Sequence, residues 1–303
     1  MYARLATTAA AVLGVGALLL PGPVQETAHA QGGAVCRPGE PLVIAHRGAS
    51  AYAPENTLAA VDLAADMGFS WVENDVQRTK DGVLVVVHDD NLARTTDVEQ
   101  RFPDRAPWKV REFTAAEIAT LDAGSWFGGK WAGARVPTLT QYLKRVDGNG
   151  QKLLLEVKKP EAYPGIAKDT LRVLGEEGWL DRAHVARRLV VQSFGAQSVK
   201  EVHAQRPDIT TGFLGTPAVA DLASYAEFTD QINPTHTSLT AQYVAAVHRF
   251  RGPHGRRLQV STWTVNDAAG AVRVDGFGVD GIITNNPDVV RDAVACADYR
   301  NRL

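Results

Sequence analysis

The sequence predicts an α/β protein, a (β/α)8 TIM barrel with a small inserted subdomain after a rim hairpin. Three observations lead there. Apolar, β-branched runs alternate with helical patterns, the sequence form of repeated βα units around a parallel sheet. Eight such runs are present: Leu42–Ala45, Trp71–Val76, Lys152–Val157, Leu189–Gln192, Thr210–Phe213, Gln231–Asn233, Leu258–Thr264 and Gly281–Thr284. The chain has 303 residues, 45% of them hydrophobic, and eight βα units of this size fill one barrel.

Each element has a local reason. The first run ends in His46-Arg47-Gly48. Pro54-Glu55-Asn56-Thr57 then reads as a helix start, where Glu55 and Asn56 can satisfy free backbone donors ahead of a helix over Thr57–Met67. The second run is Trp71–Val76. Val83–Val87 would be a ninth strand, but it follows after six residues with Asp81-Gly82 marking a tight turn. A parallel crossover needs a dozen residues or more, so this segment is the return arm of an antiparallel hairpin. That geometry folds His88 back over the barrel mouth.

Asn91–Pro137 interrupts the rhythm and gathers Phe102, Trp108, Phe113, Trp126, Phe127 and Trp131. A segment of that length is expected to act as a lid or substrate-recognition subdomain, or simply to cap the barrel end. The later runs are spaced by helical patterns over Ala167–Gly175, Gln197–Gln205, Thr240–Phe250 and Ala268–Gly276.

The ends of the chain carry different signals. Arg4 precedes an apolar segment, Ala6–Leu20, and Ala28-His29-Ala30 supplies the small residues of a cleavage site. Residues 1–30 therefore read as a signal peptide, with the mature chain, residues 31–303, starting at Gln31 and secreted. A membrane anchor would need about 20 apolar residues, and Pro21-Gly22-Pro23 ends this run early. No stable membrane insertion is expected. The two cysteines, Cys36 and Cys296, stand near opposite ends of the mature chain. In an exported protein they suit a disulfide stapling the termini, worth up to about 4–5 kcal/mol of chain entropy; the other reading is two unrelated thiols. The net charge of −2 gives no electrostatic footprint for nucleic acid. Nothing in the sequence assigns an oligomeric state.

The chemistry concentrates between His46 and Asp89. Side chains alternate along a strand, so Glu73 and Asp75 share a face and Asn74 takes the other. Two carboxylates on one inward face repel unless a proton or a cation lies between them. Glu156 adds a third from the run Lys152–Val157, where it shares a face with Lys158; the other reading of Glu156 is a structural ion pair with that lysine. Three carboxylates with no thiolate form a hard oxygen set suited to one divalent cation, Ca²⁺ or Mg²⁺, with Mn²⁺ a third candidate.

Arg47 offers a planar fork for phosphate oxygens. His46 and His88 supply the base and the acid that phosphodiester cleavage needs. Trp263, in Thr262–Asn266, reads either as a wall for the glycerol or alkyl part of a substrate or as barrel core.

Nine motifs in order resemble the glycerophosphodiester phosphodiesterase family of the secreted bacterial type. They are HRG at His46–Gly48, PENT at Pro54–Thr57, ExD at Glu73–Asp75, TKDG at Thr79–Gly82 and HD at His88-Asp89. LEVK at Leu155–Lys158, QSF at Gln192–Phe194, WTVN at Trp263–Asn266 and DGIITNNP at Asp280–Pro287 complete the set. The resemblance implies the barrel with its insertion, His46 and His88 as the acid/base pair, Glu73, Asp75 and Glu156 as cation ligands, and Arg47 and Lys158 on the phosphate. It implies hydrolysis of glycerophosphocholine- or glycerophosphoethanolamine-type diesters to glycerol 3-phosphate and an alcohol. Asn74 departs from the family, which usually has a hydrophobic residue there.

Rival readings are a secreted lysophospholipase D acting on lysophospholipids with the same site, and a non-catalytic barrel that only binds phosphodiesters. A sugar-cleaving barrel, with two carboxylates as acid and nucleophile, leaves the paired histidines unexplained.

Overall fold

The computed structural model describes residues 39–300, with side chains from 39 to 295. The export signal and Cys36 lie outside the described residues, as does the side chain of Cys296, with which Cys36 is expected to pair. Nine strands are present among the described residues: β1 Leu42–Ala45, β2 Trp71–Arg78, β3 Leu84–Val86, β4 Lys152–Val157, β5 Leu189–Ser193, β6 Thr210–Leu214, β7 Gln231–Asn233, β8 Gln259–Thr262 and β9 Gly281–Thr284. Eight are parallel and run in the order β1, β9, β8, β7, β6, β5, β4, β2, with β1 returning to β2. The sheet is therefore a closed (β/α)8 barrel, the TIM barrel expected from the run spacing.

The antiparallel exception is β3, which pairs with β2 through Val76↔Val86, Gln77↔Val85 and Arg78↔Leu84. It is the expected rim hairpin. β2 runs two residues beyond the expected Val76 because this pairing extends it. β8 stops two residues short of the expected Thr264; the chain there passes through a cis peptide between Trp263 and Thr264.

Alternation divides the barrel into two apolar layers. Outward residues such as Val72, Val76, Leu153, Leu155 and Val157 pack on the helices, joined by Val61, Ala64, Leu139, Tyr142 and Leu143. Inward residues Ile44, Leu154, Val190 and Ile283 fill the barrel below the site. Burying a leucine or isoleucine contributes about 1.5–3 kcal/mol, so this plug is a rigid floor on which polar residues can be mounted.

The first barrel helix is Leu58–Asp66, and its N-cap is Thr57, whose hydroxyl accepts from Ala60 N–H. Glu55 and Asn56 do not cap it, contrary to expectation; both are drawn into the site. The helix Leu139–Gly148 went unrecognised in the sequence although Thr138 and Gln141 form a reciprocal capping box.

Residues 91–137 form short helical turns around their own apolar cluster, which includes Leu92, Val98, Val110, Phe113, Ile118 and Leu121. Val85 and Val87 of the hairpin pack into the same cluster. No helix among the described residues is long and apolar enough to cross a membrane.

Candidate active site

The site is built by register. β2 and β4 pair so that Asp75 lies beside Glu156 and Glu73 beside Leu154. Because alternate residues face inward, Glu73, Asp75 and Glu156 converge at the C-terminal end of the barrel, where such barrels carry their chemistry. Oxygens from all three lie within 4.8 Å of one another, and all three side chains are buried.

This cluster is electrostatically costly. Burial, then Asp75 and Glu156, pushes the Glu73 carboxyl well above the usual carboxylate range. Burial, then Asp75, pushes Glu156 up to about 8. For Asp75 burial also acts upward, but Arg47 and Lys158 outweigh it and hold the group below its usual value. Asp75 Oδ1 and Glu156 Oε1 are buried without a hydrogen-bond donor among the described residues. Lys158 Nζ does reach Glu156 Oε1 at 2.7 Å and Asp75 Oδ1 at 3.5 Å, but off the hydrogen-bonding direction. Hard oxygens left undonated at one point fit a hard divalent cation, so this buried triad could hold a metal ion. Glu156 pairs with Lys158 and also stands in the carboxylate triad.

His46 follows β1. Its Nδ1 donates to Asn285 Oδ1 at 2.6 Å, and its Nε2 lies 3.8 Å from Glu73 Oε2. Burial, then the Arg47 charge, lowers the ring to about 3, so it is neutral across the physiological range. Arg47 has φ 56°, and Gly48 follows at φ +80° with its Cα against the Ala60 backbone. A Cβ at Gly48 would meet Ala60 C and O at 2.6 Å, so only glycine lets the loop lie on the helix.

Arg47 is more occupied than expected of a phosphate fork. Its backbone N–H donates to Glu73 Oε2 at 3.0 Å, Nε lies 3.1 Å from Asp75 Oδ2, and Nη1 donates to Glu55 Oε1 at 2.8 Å.

His88 stands just past β3. Its Nδ1 donates to Asp89 Oδ1 at 2.7 Å, and Asp89 Oδ2 accepts from Arg94 Nε at 2.6 Å. The His88 bond, and then Arg94, hold the Asp89 carboxyl far below its ordinary range. Arg94 comes from the insertion and also donates to both Glu55 oxygens at 2.8 Å. An unbroken chain of contacts therefore runs His88–Asp89–Arg94–Glu55–Arg47–Asp75.

Two chambers meet over the triad. The inner one, about 90 Å³, is lined by His46, Arg47, Glu73, Gln192 and Trp263, among others. The outer one, about 410 Å³, is lined by Asp89, Asp90, Lys159, Pro160 and Glu161, among others. His88, Glu156, Lys158 and Phe194 line both. Trp263 is both wall and core: Nε1 donates to Asn233 O at 2.9 Å, the ring meets Phe194 edge-on at 5.4 Å, and it packs on the barrel plug.

All the expected site residues with described side chains thus converge. Sequence reading missed Asn56, whose Nδ2 donates to Asp75 Oδ2 at 2.8 Å, and also Gln77, Arg94 and Asn285. Asn285 lies inside a quoted motif but was given no role. Gln77 could have been found by extending the inward period of two from Glu73 and Asp75.

Residues 46–289 match the sequence profile of the glycerophosphoryl diester phosphodiesterase family. The chain belongs to that family. It is a hydrolase of phosphoric diesters. The Bacillus subtilis (strain 168) glycerophosphodiester phosphodiesterase is 32% identical, covering 88% of this chain and 90% of that one. The Caldanaerobacter subterraneus glycerophosphodiester phosphodiesterase is 32% identical over 84% of this chain and 97% of its own length. Among solved structures, an Oleispira antarctica phosphodiesterase in complex with the product sn-glycerol-3-phosphate matches with a TM-score of 0.73 at 29% identity. That match covers 84% of this chain and 97% of the other.

Proposed function

We propose that the enzyme cleaves water-soluble glycerophosphodiesters, with His46 as base and His88 as acid, and is exported. The observation that carries this reading is that two histidines flank one carboxylate triad on different supports. His46 rests on a neutral amide in a buried, cation-flanked position and stays uncharged; His88 rests on an ionised carboxylate that can balance an imidazolium.

The chambers support an assignment of the two ends of the substrate. The inner one suits the glycerol moiety beside His46, with Trp263 against its carbon chain, and the outer one suits the leaving alcohol beside His88. The phosphate then falls at their junction, within reach of Lys158 and the free edge of Arg47. His46 Nε2 takes the proton from a glycerol hydroxyl as its oxygen attacks phosphorus. The bond from phosphorus to the alcohol breaks, and His88 gives that oxygen its proton. The cyclic phosphate so formed is opened by water with the two roles reversed.

Glu73, Asp75 and Glu156 would hold a divalent cation, Ca²⁺, Mg²⁺ or Mn²⁺, which supplies positive charge to the phosphoryl oxygens. The bound sn-glycerol-3-phosphate of the Oleispira antarctica relative supports a glycerol 3-phosphate product here. The chamber beside His46, about 90 Å³, is of the size of a small polyol, which favours glycerophosphocholine or glycerophosphoethanolamine over lysophospholipids.

The test is hydrolysis, followed by ³¹P NMR, of these two diesters and of lysophosphatidylcholine by EDTA-stripped enzyme to which each cation is restored separately. Cation-dependent release of glycerol 3-phosphate from the soluble diesters is expected. Preferential cleavage of the lysophospholipid, or full activity without any cation, would overturn the reading.

A further inference from the structure

We infer that Gln77 is a positioning residue for His88, a buried clamp on the backbone that carries it. The inference rests on the reading of His88 as the acid for the leaving alcohol.

Gln77 is the next inward position on β2 after Trp71, Glu73 and Asp75, and it is fully buried. Its Nε2 lies 3.0 Å from Val87 O, 2.9 Å from His88 O and 2.6 Å from Asp89 O. Two N–H bonds are thus shared among three consecutive carbonyls. Its Oε1 accepts from Tyr163 Oη–H at 2.9 Å, which decides the end of the amide that faces the hairpin. Tyr163 is itself buried and follows the turn Pro160–Ala162, part of the outer chamber wall.

The paired register of β3 ends at Val86 and its last backbone bond to β2 is Val87 N–H to Asp75 O at 3.0 Å, so His88 stands one residue beyond the ladder that delivers it. The side chain of Gln77 takes over from there. It grips the peptide groups on both sides of the His88 Cα, and it grips Asp89, whose carboxylate holds the ring. One amide therefore sets both the imidazole and its partner relative to β2, the strand that bears Glu73 and Asp75. A buried amide is costly unless fully bonded, and here both ends are engaged. Placement errors of about 1 Å at an acid cost about 100-fold in rate.

The experiment compares two substrates on the cation-loaded enzyme and reads the first step alone, release of ethanolamine or p-nitrophenolate in a single turnover, because His88 also acts as base when the cyclic phosphate opens. Glycerophosphoethanolamine has a basic leaving alcohol that needs an acid; glycerophospho-p-nitrophenol leaves as a phenolate that needs none. The variants are Gln77→Met, Tyr163→Phe and, as reference, His88→Ala, each with its melting temperature measured. Gln77→Met is expected to lower the single-turnover rate of alcohol release about 100-fold on the ethanolamine diester and less than about 5-fold on the aryl diester, with the substrate concentration for half-maximal rate held within about 2-fold. Tyr163→Phe should show the same pattern at about 10-fold. It decides the matter if Gln77→Met fails to fold, since it removes one hydroxyl and no packing.

Equal losses on both substrates, or no loss in either variant, would overturn the clamp while His88→Ala still discriminates between them. If His88→Ala itself loses both activities equally, the acid reading fails instead.

Discussion

His46 Nδ1 lies 2.6 Å from Oδ1 of Asn285, a residue of the loop that follows β9, the strand beside β1. The same oxygen accepts from Ser50 Oγ at 3.0 Å, so it is fixed from two sides. Asn285→Ala should leave the ring without an orienting acceptor and lower kcat by about 10- to 100-fold with the fold intact. Asn285→Asp should act differently. A carboxylate there raises the proton affinity of a ring now lowered to about 3, so the acid limb of kcat/KM should move to higher pH. The pH profile of the two variants checks both statements.

The triad makes the cation-free protein sensitive to alkali. Glu156 is raised to about 8 in the fold from its ordinary 4.5, so the folded state holds a proton that the unfolded chain has released. That stability is fully present below pH 4.5 and is lost as pH rises toward 8. His46, lowered to about 3 from 6.5, works the other way and costs stability as pH falls from 6.5. Between pH 6.5 and 8 the carboxyl effect therefore stands alone of the two. The melting temperature of EDTA-stripped enzyme should fall across that window, and Glu156→Gln should flatten the fall. Added divalent cation should restore stability at pH 8. A stripped enzyme with a level profile from 6.5 to 8 would contradict this account.

Asn74 is fully buried on the outward face of β2, between Val72 and Val76, and neither amide atom has a hydrogen-bond partner among the described residues. Asn74→Leu, which keeps the same branched heavy-atom skeleton, should raise stability by about 1–3 kcal/mol, because it removes two unsatisfied polar atoms from an apolar layer. Since the side chain points away from the triad, kcat should not change. Urea denaturation together with a rate assay tests both halves.

Gly48→Ala should be damaging out of proportion to one methyl group. The new Cβ would collide with the Ala60 backbone at 2.6 Å in a residue at φ +80°. The loop must lift, carrying His46 and Arg47 with it. Denaturation should show a loss of stability of about 1–3 kcal/mol, and the rate assay should show turnover lowered by about 10-fold or more.

Much of this was legible because period-two alternation is strict inside a barrel. Glu73, Asp75, Glu156 and Lys158 could be placed inward from sequence, and the six-residue gap before Val83 identified the hairpin that delivers His88. Other features depend on register and on distant loops. The neighbouring of Asp75 and Glu156 follows from the β2–β4 pairing, which no local pattern announces. Asn56 looked like a helix cap because a short polar residue before a helix usually is one; the Thr57 hydroxyl took that role and freed Asn56 for Asp75. Arg94 was invisible because its partners, Glu55 and Asp89, are brought to it only when the insertion folds against the hairpin. Three histidines outside the site, the partly buried His184 and His248 and the exposed His254, each bond a carboxylate: Asp181, Asp280 and Asp230 respectively.

The most direct test of the two-histidine account is the rate at which His46→Ala and His88→Ala release glycerol 3-phosphate from glycerophosphocholine, measured by ³¹P NMR on cation-loaded enzyme with the melting temperature in hand. Each variant should keep the wild-type melting temperature within a few degrees and lose about 1,000-fold or more in rate. A folded variant of either kind that turns over at close to the wild-type rate would contradict the account.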